Sequence, residues 1–132
     1  MLDKILMNSR VFARGRRSLI YMTKREEYHI SFQKKTISVI YIYPFATSTN
    51  SENSEIAGHI SDSVESSTRS QIGSLQDAID GKRIQEDWGE VMGSQLDIFQ
   101  QEGTVQVGYA NRRIPIQDFK QLLEEWLQFI TT

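Results

Sequence analysis

From Tyr28 the chain alternates with period two: Tyr28, Ile30 and Phe32 are interleaved with His29, Ser31 and Gln33. That spacing predicts a half-buried strand. Gln33-Lys34-Lys35-Thr36 reads as a turn. Beyond it Ile37, Val39, Tyr41 and Tyr43 fall on one side, with Ile40 and Ile42 on the other. Apolar residues on both sides, most of them β-branched or aromatic, predict a central strand covered on each face. Pro44 ends it, because proline cannot donate to a ladder. A second hairpin is expected where Leu96 and Ile98 share a face and Val105, Val107 and Tyr109 return. Gly103, in Gln101-Glu102-Gly103, would supply the positive φ at its turn.

The helical period is clearest after Pro115. Ile116, Phe119, Leu122, Leu123, Trp126, Leu127 and Ile130 recur at i, i+3, i+4, opposite Asp118, Gln121, Glu124, Glu125 and Gln128. Proline suits the first helical turn, where its missing N–H costs nothing. Burying this face is worth roughly 1.5–3 kcal/mol per large side chain, so the helix should close the core. Ile72, Leu75, Ala78 and Ile79 predict a shorter helix over 71–80, stopped at Gly81. Between the strands and that helix, residues 46–74 are rich in Ser and Thr. Ile56, Ile60 and Val64, four apart, allow a short amphipathic helix, and a mobile surface insertion is the alternative. The expected fold is α+β: an antiparallel sheet of about four strands with the C-terminal amphipathic helix packed on one face.

Composition narrows the class. A chain of 132 residues fits one domain. With no cysteine there is neither a disulfide framework nor a thiolate nucleophile, which favours a reducing, cytoplasmic setting. The longest apolar run, Ile37–Phe45, is far short of the ~20 residues of a spanning helix, and no membrane contact is expected. Charge is uneven. Residues 1–35 hold nine basic residues against three acidic, a net of +6, and the remainder six against fourteen, a net of −8. Residues 1–21 carry the Arg-rich character and read as a basic N-terminal extension dispensable to the fold. A transit peptide, a basic amphipathic helix or a nucleic-acid arm would share that composition. From Met22 onward, residues 22–132 form the expected single domain. Ten basic residues there oppose sixteen acidic, a net of −6.

Candidate chemistry is sparse. His29 and His59 stand thirty residues apart with no ligand-type spacing, and both are expected to be solvent-exposed. No G-x-S-x-G, G-x-G-x-x-G or GK[ST] motif occurs, so neither metal nor cofactor is expected and the chain does not read as an enzyme. Adjacent carboxylates such as Glu124-Glu125 diverge on a helix and are no acid–base dyad; a solvated face explains them. The functional alternative is one acidic surface built from Glu86, Asp87, Asp97, Glu102, Asp118, Glu124 and Glu125, with Trp88 as its aromatic anchor. Such a surface would steer a basic partner. An acidic body repels phosphate backbones, so no direct nucleic-acid contact is expected.

Ser94–Tyr109 followed by Ile114–Ile130 pairs a short hairpin with a proline-started Ile-Pro-x-x-x-Phe entry and an acidic helix ending in Trp-x-x-Phe-Ile. This third of the chain resembles small bacterial immunity proteins of contact-dependent and polymorphic toxin systems. The resemblance implies a stoichiometric inhibitor that occludes the active site of a cognate, basic toxin domain, a nuclease among the candidates. A small acidic secretion chaperone is the alternative, and a small hydrolase or nuclease a third. The sequence leaves the oligomeric state open.

Overall fold

A computed structural model of the chain describes residues 22–84, 87–91 and 94–132; the basic extension 1–21 and Glu86 lie outside the described residues. The fold is α+β, as the periodicities predict. The elements run α1 (Lys24–Glu27), β1 (Ile30–Ser38), β2 (Tyr41–Ser48), a 3-10 turn (Ser51–Asn53), α2 (Ser54–Ser61), α3 (Glu65–Ile79), β3 (Asp87–Val91), β4 (Ser94–Phe99), β5 (Thr104–Val107), β6 (Ile114–Pro115) and α4 (Ile116–Ile130). The two expected hairpins do not join in one sheet. β1 and β2 pair only with each other, while β3-β4-β5-β6 form a separate antiparallel sheet. The second hairpin turns at Gly103, whose φ is +72°. β5 stops at Val107, and Tyr109 lies beyond it, exposed.

The first hairpin differs from expectation in its turn and in its cover. Gln33–Thr36 lies inside β1, with Lys34 facing Pro44 and Thr36 facing Ile42, and the chain reverses at Val39 and Ile40. β2 is no central strand. Its root, Ala46, is buried beside α2, but Tyr41, Ile42 and Tyr43 are exposed. Tyr28 and His29 precede β1 and terminate α1. Tyr28 is its C-cap, and His29 adopts a left-handed φ of +56°, with its N–H donating to the Glu26 carbonyl.

The Ser/Thr-rich 46–74 stretch is not a surface insertion. It contains α2 and most of α3, which begins at Glu65, six residues before the expected 71, and ends at Ile79 with Gly81 at φ +78°. These helices supply Ile56, Ile60, Leu75 and Ala78 to a single core, together with Leu96, Ile98, Val105 and Val107 of the second sheet. α4 closes it as its periodicity requires. Ile116, Phe119, Leu122, Leu123 and Trp126 are buried, and Leu127 and Ile130 are half-buried at the end of the stripe. Trp126 meets Phe32 edge-on at 5.1 Å, linking the separate hairpin to the helical layer.

Trp126→Ala should therefore cost about 3–5 kcal/mol in urea unfolding, the range for truncating a large buried aromatic. A loss under about 1 kcal/mol would mean that α4 does not close the core.

Candidate functional surface

The structure sorts the expected acidic residues by what each already holds. Glu125 turns inward along α4 and accepts hydrogen bonds from the backbone N–H groups of Lys24 and Arg25, at 2.9 and 3.1 Å. Thr23 and Glu26 complete a capping box around the same helix start. A carboxylate at a helix N-terminus satisfies donors with no intrahelical partner and complements the dipole. Glu125 is thus a cap for α1. Asp118 is likewise engaged: it accepts from the Tyr28 hydroxyl at 2.7 Å and pairs with Lys24 at 3.3 Å. Burial, reinforced by that carboxylate, pushes the Tyr28 hydroxyl pKa well up. Glu124 pairs with Lys120 at 2.8 Å, and Glu102 pairs with Arg113, whose guanidinium lies over the Phe99 ring.

Asp97 is different. Among the described residues its carboxylate accepts only from the neighbouring Gln95 amide, at 3.1 and 3.2 Å, and no cation pairs with it. The ladder sets Asp97 directly opposite Asp87 on the edge strand β3, with Glu90 opposite Gln95. Like charges at facing positions of an antiparallel pair destabilise it. Of the seven expected acidic residues, the register sets Asp87 opposite Asp97, with Trp88 following Asp87 in sequence; the side chains of Asp87 and Trp88 lie outside the described residues. Glu124 lies apart on α4, lining a shallow depression with Thr23, Arg25 and Gln128.

His59 is not exposed. It is 2% accessible and belongs to a buried polar cluster between α2, α3 and α4. The Gln71 amide donates to Ser63 Oγ and to the Ser67 carbonyl, both at 3.3 Å. Its Oε1 is therefore an acceptor, and His59 Nε2 donates to it at 2.7 Å. Ser63 Oγ donates to the His59 carbonyl at 2.9 Å, and the Ser63 carbonyl accepts from Trp126 Nε1 at 2.9 Å. Burial holds the His59 pKa below its ordinary value near 6.5; the Gln71 hydrogen bond and the Asp62 charge oppose the shift without cancelling it. Sequence reasoning missed this cluster because a polar residue at helical spacing gives no sign of facing inward. The available signal was His59 at position i+3 from Ile56, one residue before Ile60.

A second surface was also missed. Ile37 and Ile42 are 57% accessible, Val39 101% and Ile40 92%, so the most apolar run of the chain projects into solvent. Among the described residues no three His, Asp or Glu side chains gather as a metal site would, and no helix is long and apolar enough to cross a membrane. Comparison with protein-family models, curated proteins and solved structures finds no match.

Two measurements check these assignments. Glu125→Ala should cost about 1–2 kcal/mol by leaving two helix-start N–H groups without their acceptor, whereas Glu124→Ala should stay within about 0.5 kcal/mol. Equal effects in urea unfolding would contradict the cap. The second is the pH dependence of stability. As pH falls through about 6.5 the unfolded chain protonates His59 while the folded chain resists. Stability is therefore complete above that pH and declines below it, by up to about 1.4 kcal/mol per pH unit, until the lower folded-state pKa is reached. His59→Gln should flatten this decline between about pH 7.5 and 5.5; an unchanged slope would place the titration elsewhere.

Proposed function

We propose that the protein is a stoichiometric protein-binding inhibitor acting through the acidic edge of the second sheet, without turnover or cofactor. The observation that carries the reading is Asp87 facing Asp97 across β3 and β4. Two acidic residues at one ladder position give a cationic partner a place to be steered towards. Lysine or arginine side chains on a basic toxin domain supply that cation. The resemblance of residues 94–130 to small immunity proteins gives the reading its concrete form: occlusion of a cognate toxin's active site in the cytoplasm. Trp88, on the same edge strand, would be the aromatic anchor.

The test is co-expression with the product of the neighbouring gene, followed by binding kinetics on the purified pair. A one-to-one complex with a basic protein supports inhibition. A homodimer carrying an unfolded segment would support a secretion chaperone instead. In the complex, Asp87→Lys with Asp97→Lys should slow association about tenfold at low salt, and added salt should slow the parent protein similarly, because exposed charges act on encounter. Trp88→Ala should mainly speed release. Association insensitive to both salt and charge reversal would remove this edge from the interface.

A further inference from the structure

The β1–β2 hairpin is anchored at its root and bare at its tip. Phe32 packs on Trp126 at 5.1 Å and on Phe129 at 5.6 Å, and the Ala46 N–H donates to Ser61 Oγ of α2 at 3.1 Å. Tyr43 and Phe45 stack on one face of β2 at 6.1 Å. Beyond Thr36 the register shifts, and the ladder ends at Ser38 opposite Tyr41. Exposure climbs along this path. Of the apolar residues from Ile37 to Tyr43, Tyr43 is the least accessible, and Val39 and Ile40 at the turn are the most. A fixed root and a bare tip make the hairpin a prong held out from the body.

The charge of the prong is as one-sided as its polarity. Between Glu27 and Glu52 the sequence holds no acidic residue, although the chain has seventeen, and the hairpin carries Lys34 and Lys35. Alternation puts the two lysines on opposite faces. The Lys34 ammonium lies over the Phe129 ring at 5.0 Å and donates to the Thr132 carbonyl at 3.3 Å. Lys35 faces Tyr43 across the ladder, and among the described residues no carboxylate pairs with it. At about 3.3 Å per residue, Lys35 and Tyr43 stand roughly 10–13 Å back from the turn.

We propose that this hairpin docks on an anionic lipid surface, with Val39 and Ile40 at the headgroup–acyl boundary and Lys35, Tyr41 and Tyr43 among the headgroups. The spacing matches. Interfacial elements bury their apolar part ~5–10 Å deep, which leaves the lysine at the depth of the phosphates. Tyrosine suits that level, because its ring is apolar and its hydroxyl stays hydrated. Each lysine near an anionic leaflet adds attraction, and the hairpin has no carboxylate to oppose it. Hydrocarbon limits the depth, since further insertion would strip water from the backbone groups of the turn. A protein partner fits less well. The tip is seven residues, Ile37–Tyr43, against about 20–30 on each side of a stable interface. A bilayer needs no shape complement, only apolar burial. The expectation of no membrane contact rests on spanning length, which interfacial docking does not require. This hairpin belongs to a different sheet from the β3 edge, so its test stands apart from that of the proposed inhibition.

Co-sedimentation of the full chain with vesicles of about one-third phosphatidylglycerol in phosphatidylcholine tests the docking. Binding should be about tenfold or more stronger than to phosphatidylcholine alone, and should weaken as salt rises. Ile40→Asp, at a position open to solvent, should reduce binding about tenfold or more with the far-ultraviolet circular dichroism unchanged. Lys35→Glu should reduce it about fivefold or more on the anionic vesicles and leave the weaker binding to phosphatidylcholine unaltered. The second variant keeps the test decisive if the first misfolds. No binding to anionic vesicles overturns the proposal, as does equal binding to both kinds. Binding insensitive to Ile40→Asp overturns it too, by assigning the contact to another basic part of the chain. A chain that ignores vesicles but self-associates, or binds another protein through Ile40, also overturns it.

Discussion

The carbonyl of Ser63 is where the packing of three helices is decided. It lies in the short link between α2 and α3, is buried, and accepts the indole N–H of Trp126 from α4. A buried indole left without an acceptor would cost about 1–3 kcal/mol, so the link must present this oxygen at the right depth. The remaining polar atoms nearby follow from that demand. Ser63 Oγ satisfies the His59 carbonyl, Gln71 joins Ser63 to His59, and the Thr68 hydroxyl donates to the Val64 carbonyl at 2.8 Å. Partly satisfied, such a network is worse than an apolar core; satisfied, it fixes how the helices sit. Trp126 then presents its ring edge-on to Phe32, which seats the first hairpin on the body.

That constraint explains what was legible in the sequence. α4 and the β4–β5 hairpin could be read because their apolar period agrees with their burial at Leu96, Ile98, Val105 and Val107 and from Ile116 to Trp126, with Tyr109 the exception. α2 and α3 were nearly illegible because they enter the core with His59, Ser63, Thr68 and Gln71, residues whose inward orientation depends on one another. The low apolar content of 46–74 resembled a loop only because a satisfied polar cluster and a polar loop share a composition. β2 failed in the opposite direction. Its apolar run matched a covered central strand, but cover is a property of neighbours, and the neighbours belong to another sheet. Of the expected site, the pairing of Asp87 with Asp97 needed a register that no local pattern specifies, and the capping role of Glu125 needed a helix a hundred residues away.

The carboxylates show how little sequence grouping says about shared work. Glu124 and Glu125 are adjacent, yet one makes an exposed ion pair with Lys120 and the other occupies the start of α1. Glu102 and Asp118 are each engaged by a cation or a hydroxyl from elsewhere in the chain. An acidic composition of −6 over residues 22–132 therefore does not translate into a uniform acidic surface. Much of it is consumed in holding the N-terminal helix and the last loop to α4 and the second sheet.

Two features remain that this internal accounting does not absorb, and they are of opposite kinds. Asp87 stands opposite Asp97 in the β3–β4 register; the Ile37–Tyr43 hairpin tip is apolar surface set in water. At other positions local preference and packing agree, as at Gly103 in its positive-φ turn and the capping box at Thr23. Departures from that agreement mark the positions where something other than the isolated fold sets the residue. The two also demand different complements. Carboxylates at a sheet edge can stay hydrated and attract cations. The hairpin tip instead sets uncharged apolar side chains in water, from Ile37 to Tyr43.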